Sequence, residues 1–182
     1  MKRRPASAAT APKTVFSDPL AEVLRPGQSV ELLKELHILT RDGKLNQDSR
    51  RKLKQVYHLC HFIEPLLDEV LGRQDTLLLA DHGAGKSYLG FILYDLYLKE
   101  RAGAHIYGIE TRDELVEKSR ELAARLDFPR MSFLNVTVAD SIRSDQLPAT
   151  IDIVTALHAC NTATDDAIQF ALAKQARHIV LV

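Results

Sequence analysis

TLLLADHGAGKSYLG, residues Thr76 to Gly90, is an apolar run of strand length that stops at an acid, turns through two glycines and continues as an amphipathic helix. Nucleotide-like cofactors sit on such a strand-turn-helix unit, because the turn lets the backbone approach a ligand and the helix start offers unpaired N–H groups. The pattern that follows has the same rhythm. Apolar, β-branched runs at Thr76 to Ala80, His105 to Ile109, Ser132 to Val136, Ile151 to Ala156 and His178 to Val182 read as strands. Helical spacing covers Lys86 to Arg101, Arg112 to Leu126 and Asp165 to Gln175. Repeated βα units with apolar strands predict a Rossmann-like α/β fold, a mostly parallel, doubly wound sheet with helices on both faces. A ligand of such a sheet lies outside the carboxyl ends of the strands.

Upstream of residue 74 the chain is helical or irregular. Residues 1–16 form a small-residue, Pro-containing, basic stretch that reads as a disordered tail. Residues 17–73 read as an N-terminal helical segment. Within it, Glu31 to Leu39 suit a short helix, and apolar positions recur at helical spacing from Asp48 to Leu71. Pro65 predicts a kink or break near Glu64. Residues 74–182 are the sheet domain. Its last run, His178 to Val182, closes with no turn or cap, so the domain is expected to be incomplete at its C-terminus.

Composition narrows the function classes. The chain has 182 residues, 46% of them hydrophobic, with 24 basic and 24 acidic side chains, so no net charge marks it as a general polyanion binder. Basic residues do cluster locally at Arg50, Arg51, Lys52 and Lys54, an expected contact for RNA together with the basic tail. Cys60 and Cys160 lack metal-ligand spacing, and no run approaches the roughly 18 apolar residues of a membrane span. A cytoplasmic protein without a metal is the expectation.

Four loops at the carboxyl ends of the strands could carry chemistry. The first, Asp81-His82-Gly83-Ala84-Gly85-Lys86-Ser87, comes close to two phosphate-binding patterns and departs from both. A P-loop needs glycine where Ala80 stands, and a dinucleotide fingerprint needs glycine where Tyr88 stands. What remains is D-x-G-x-G, whose acid suits a ligand with cationic character. The second loop begins at Glu110, where a carboxylate can accept from ribose hydroxyls, while Thr111 and Glu114 have capping-box spacing. The third, Val138-Ala139-Asp140-Ser141, offers Asp140 to an adenine amino group. The fourth carries His158, Ala159, Cys160 and Asn161, with Thr162 and Asp165 spaced as a helix cap.

From residue 76 to the end, these motifs resemble class I S-adenosylmethionine-dependent methyltransferases. LADHGAGKSYLG, IYGIE, VADS and DIVTALHAC fall in register with the first four strands of that fold. GxGKxYL paired with ALHACxTATD is similar to a methyltransferase-like group that includes relatives of ribosomal RNA adenine dimethylases. The resemblance implies a sheet ordered 3-2-1-4-5 over this chain, with S-adenosylmethionine as cofactor. It places the methionine end of the cofactor near Asp81, His82, Gly83, Ala84 and Gly85, the ribose at Glu110 and the adenine near Asp140 and Ser141. His158 would face the methyl group and serve as catalytic base. The chain departs from the group at Asn161, where an acid is expected, and has no Asn-Pro-Pro-Tyr motif of amino-methylating enzymes. The alternatives are a non-catalytic Rossmann-like module that holds cofactor or RNA, and a P-loop-like NTPase acting through Gly85-Lys86-Ser87.

Overall fold

The computed structural model describes residues 20, 22–157 and 162–182, with the side chains of residues 162 and 163 left aside. The expected tail over residues 1–16 lies outside the described residues. Five parallel strands form one sheet: β1 Leu77–His82, β2 Ala104–Glu110, β3 Met131–Asn135, β4 Ile153–Ala156 and β5 His178–Leu181. Their order is β3-β2-β1-β4-β5, as predicted. β1 lies at the centre, pairing Leu77 with Ala104 through His82 with Ile109 on one side, and Leu79 with Ile153 on the other.

Alternation along β1 separates two cores, since successive side chains point to opposite faces. Leu77 and Leu79 pack with α1 Val30–Glu35, α2 Gln47–Leu71, α3 Tyr88–Leu93 and α4 Asp113–Arg125, through Leu32, Leu53, Ile63, Phe91 and Val116. Ala80 joins Val154, Leu147 and Phe170 on the other face, where α5 Val138–Arg143 and α6 Thr162–Ala173 lie. The N-terminal helices thus share the larger core with the sheet. The one free cysteine among the described residues, Cys60, is buried in that core, and burial pushes its thiol up to about 11.

Several boundaries differ from the sequence reading for local reasons. α1 ends at Glu35 because His37 turns left-handed, with φ of 54°, and Ile38 N–H closes back on the Leu33 carbonyl at 2.9 Å. α2 starts on the Asn46 side chain, which accepts from Ser49 N–H at 2.8 Å, and it runs unbroken through Pro65, so the expected break is absent. Its buried positions Leu53, Cys60, Ile63, Leu67 and Val70 hold it on both sides of the proline. The helix expected from Lys86 begins only at Tyr88 and widens at Tyr94–Leu98 into a π-helical turn, marked by Lys99 N–H on the Tyr94 carbonyl at 2.8 Å. That turn aims the buried Asp95 at the N-terminal segment, where its carboxylate accepts from Ser29 N–H at 2.8 Å and from Lys99 Nζ at 3.1 Å.

Candidate functional site

β1 runs through Asp81 and His82, so the turn proper is only residues 83–87. The first three positions of a GxxxxGK[ST] window, Ala80 to His82, are held in β1, so Gly85-Lys86-Ser87 is not preceded by a phosphate-wrapping loop. Gly83, Gly85 and Ser87 all adopt positive φ, at 63°, 57° and 50°. Glycine takes that conformation without strain and serine does not. Ser87 is held in it by packing, being almost fully buried, and its Oγ donates to Asp81 Oδ2 at 3.3 Å.

Asp81 is itself buried, at 3% exposure, and Thr155 Oγ1 donates to its Oδ1 at 2.8 Å from the neighbouring strand. Burial raises its carboxyl to about 6, against the opposing effect of hydrogen bonds from Thr155, Ser87 and the Gly90 backbone. The acid therefore braces β1, β4 and the turn from beneath. His82 points to the opposite face, its ring 5.3 Å from that of Phe170. Its Nε2 is buried with no hydrogen-bond partner, and burial lowers its pKa although Asp166 pulls the other way.

Glu110, at the end of β2, is 7% exposed but carries a different set of partners. Its Oε2 accepts from Gly85 N–H at 2.9 Å and from Arg112 Nη2 at 3.1 Å. Its Oε1 accepts from Thr111 N–H at 2.9 Å, Arg112 N–H at 3.0 Å and Arg112 Nε at 3.1 Å. Burial alone would raise this carboxyl, but the bonds from Arg112 and from Gly85 outweigh it and hold it at about 2. The Thr111 and Glu114 capping box does not form. Arg112 occupies the cap position, and the Thr111 hydroxyl donates instead to Glu110 at 3.3 Å.

The turn is also tied to β2 by Ala84 N–H on the Ile109 carbonyl at 3.0 Å. Asp81, Gly83, Ala84, Gly85 and Glu110 thus make one array across the tops of β1 and β2. A methyl group placed on Gly83 would meet no atom within 4 Å, so the space over the turn is open. The third loop is helical: Asp140 lies in α5, exposed, where its backbone N–H and its carboxylate both engage the Thr137 hydroxyl. Ser141 is fully buried and donates to the Val138 carbonyl at 2.7 Å, so its side chain offers no surface to a ligand. His158, Cys160 and Asn161 lie outside the described residues. Two participants escaped the sequence reading, Thr155 and Arg112, while Ser87 entered it as part of the first loop and not as a partner of Asp81. Only Thr155 left a trace, as the one hydroxyl in the IVTA strand and the direct register partner of Asp81.

A glycine turn closed onto an ionised carboxylate at the switch point of a doubly wound sheet is the geometry of a nucleotide-type cofactor domain. Residues 51–182 match the family described as Methyltransferase domain, and the chain belongs to that family. No curated protein matches the sequence. Among solved structures, magnesium protoporphyrin IX methyltransferase from Synechocystis PCC 6803 with bound SAH is similar in fold, with a TM-score of 0.52 and 18% identity over 79% of this chain. The bifunctional kinase-methyltransferase WbdD gives a TM-score of 0.52 and 20% identity over 70% of this chain. The chain spans 61% of the first protein's length and 28% of the second's. Among the described residues no helix is long and apolar enough to cross a membrane, and no three His, Cys, Asp or Glu side chains group as metal ligands do.

Proposed function

We propose that the protein is an S-adenosylmethionine-dependent methyltransferase acting on RNA. The single observation that carries the cofactor reading is the Glu110 carboxylate, ionised at the end of β2 and bonded to Gly85 N–H of the turn. An adenosine presents two ribose hydroxyls, and a carboxylate with two accepting oxygens fits them. Two side chains are bonded to it and would have to yield to a ligand, the Thr111 hydroxyl at 3.3 Å and the guanidinium of Arg112, which is 62% exposed. The open space over Gly83 leaves room for the rest of the ligand beside the turn.

In this reading Glu110 orients the ribose, the Gly83 to Gly85 backbone seats the amino-acid end, and Asp81 keeps the turn in place through Ser87 and Thr155. Asp140, exposed on α5 after β3, is assigned to the adenine. The cofactor supplies a sulfonium-activated methyl group, so the protein's task is alignment of an acceptor. His158, by its place in the sequence after β4, is assigned to remove a proton where the acceptor has one to lose. RNA as acceptor is supported by the exposed cations at the start of α2.

Calorimetry of the full chain against S-adenosylmethionine, S-adenosylhomocysteine, ATP with magnesium, and NAD tests this. The two sulfur ligands should bind and the two phosphate ligands should not. Binding of ATP alone would replace the reading with an NTPase. Cofactor binding without methyl transfer to any RNA would remove RNA as the acceptor, and without transfer to any RNA or protein would leave a non-catalytic module.

A further inference from the structure

α2 does more than cover the sheet. Its 25 residues span roughly 37 Å at about 1.5 Å per residue, well beyond the roughly 20 Å of six-residue β1. Its C-terminal end lies at the strand starts, where Glu69 meets His178, the first residue of β5, at 3.5 Å. Its other end reaches the cofactor side: Lys52 Nζ donates to the His37 carbonyl at 3.2 Å, and His37 lines one cleft of about 340 Å³ with Lys86 of the glycine turn and Tyr88 at the start of α3.

One exposed face of this helix carries both cations and rings. Arg51 and Lys54 are exposed, with no ion pair recorded for either among the described residues, whereas Lys52 is neutralised by Asp48 at 2.9 Å. One to three turns on, His58, His61 and Phe62 project from the same face, the Phe62 ring 4.9 Å from His58 and 5.9 Å from His61. Phe62 is 59% exposed. Beside this ridge runs a groove of about 620 Å³ lined by Arg25, Arg51, Lys54, Tyr57, His58 and His61. Arg25 is fixed in it, its guanidinium 5.2 Å from the Tyr57 ring centre and 5.6 Å from that of Tyr97, and partly balanced by Glu64 at 3.7 Å.

We infer that this α2 face is a docking track for single-stranded RNA, the cations meeting phosphates and the rings of Tyr57, His58, His61 and Phe62 receiving unstacked bases. The inference rests on the RNA-acceptor reading and gives it a place on the molecule. Free cations alternating with accessible rings match the way single strands are held without sequence readout. A lipid surface would call for a continuous exposed apolar stripe, and here Phe62 is the one large apolar side chain of α2 that is exposed, Leu59 and Leu66 beside it being partly buried. An acidic peptide would use the cations and leave the rings without a role.

Fluorescence anisotropy of the full chain with a labelled, mixed-sequence single-stranded RNA of about 12 nucleotides tests the track, without methyl donor. Affinity should fall linearly with salt on logarithmic axes, and Arg51→Ala with Lys54→Ala should weaken binding roughly tenfold and lower the slope by about 0.7 for each cation removed. Phe62→Ala should weaken binding about five- to tenfold with the slope unchanged, because stacking is not a counterion effect. All three side chains are exposed, and unchanged melting temperatures and unchanged S-adenosylmethionine calorimetry in the variants would exclude misfolding. Equal or tighter binding of duplex RNA, no effect of Phe62→Ala, or capture by phosphatidylserine vesicles in place of RNA would each overturn the track. If wild-type protein bound RNA on this face but no methyl donor, the cofactor reading would fall and the track would stand.

Discussion

Asp81 and Glu110 sit at the ends of neighbouring strands and are almost equally buried, yet one is raised to about 6 and the other held at about 2. Depth and partners together decide their charge, Asp81 lying deeper beneath the turn than Glu110. Asp81 receives two hydroxyls and the Gly90 backbone but no cation, so desolvation wins. Glu110 receives three backbone N–H groups and a guanidinium, so the anion wins. In the proposed reading the pair divides the labour of the site: one carboxyl is part of the scaffold, and the other is assigned to the ligand.

The sharpest way to break that division is Glu110→Ala, which should lower S-adenosylmethionine affinity by about a hundredfold or more, because a charge-assisted acceptor is lost. Calorimetry reads it, and an unchanged affinity would remove Glu110 from the ligand side. Asp81→Ala should instead act on stability, costing about 2 kcal/mol in urea unfolding by leaving the Thr155 and Ser87 hydroxyls unpaired. A fully stable variant with lost ligand affinity would invert the assignment.

Acid should separate the two further. Asp81's carboxyl is raised in the fold, so its contribution to stability is complete below its ordinary 3.8 and disappears as pH rises through about 6. Glu110's is depressed, so its contribution is complete above its ordinary 4.5 and is lost as pH falls toward about 2. Between pH 6 and pH 4, wild-type protein should gain roughly 1–2 kcal/mol relative to Asp81→Asn. Parallel stability curves for the two proteins would contradict the raised value. The smallest effect belongs to the residue beneath the turn. Both Ser87→Ala and Ser87→Gly lose the bond to Asp81, but only glycine relieves the positive φ, so the alanine variant should be less stable by about 1 kcal/mol.

The sheet was legible because its strands are continuous apolar runs, and the same runs give the order of βα units. Glu110 was legible as a lone acid at a strand end. The turn was harder. Nothing in a serine announces a left-handed backbone, so α3 was expected to begin at Lys86, two residues before it does. Capping spacing misled once and was overlooked once. Thr111 and Glu114 have the pattern, but Glu110 takes the Thr111 hydroxyl, while Thr137 and Asp140 do form a cap, and this turns the expected third loop into α5. The pairing of Asp81 with Thr155 depends on register between strands 74 residues apart, which local pattern does not encode.

The π-helical turn at Tyr94–Leu98 has a consequence for synthesis. Asp95, which it presents to Ser29, emerges from the ribosome some 66 residues after its partner, roughly 3 to 13 s later at about 5–20 residues per second. For most of that interval α1 and the growing α2 lack the strands that share a core with Leu32, Leu33 and Leu53, since β1 is made only shortly before Asp95 and β2 after it. The first half of the chain must therefore wait, apolar face outward, for the segment that locks it, and chaperone capture of a nascent chain should peak before residue 98 is made and fall once it has cleared the exit tunnel.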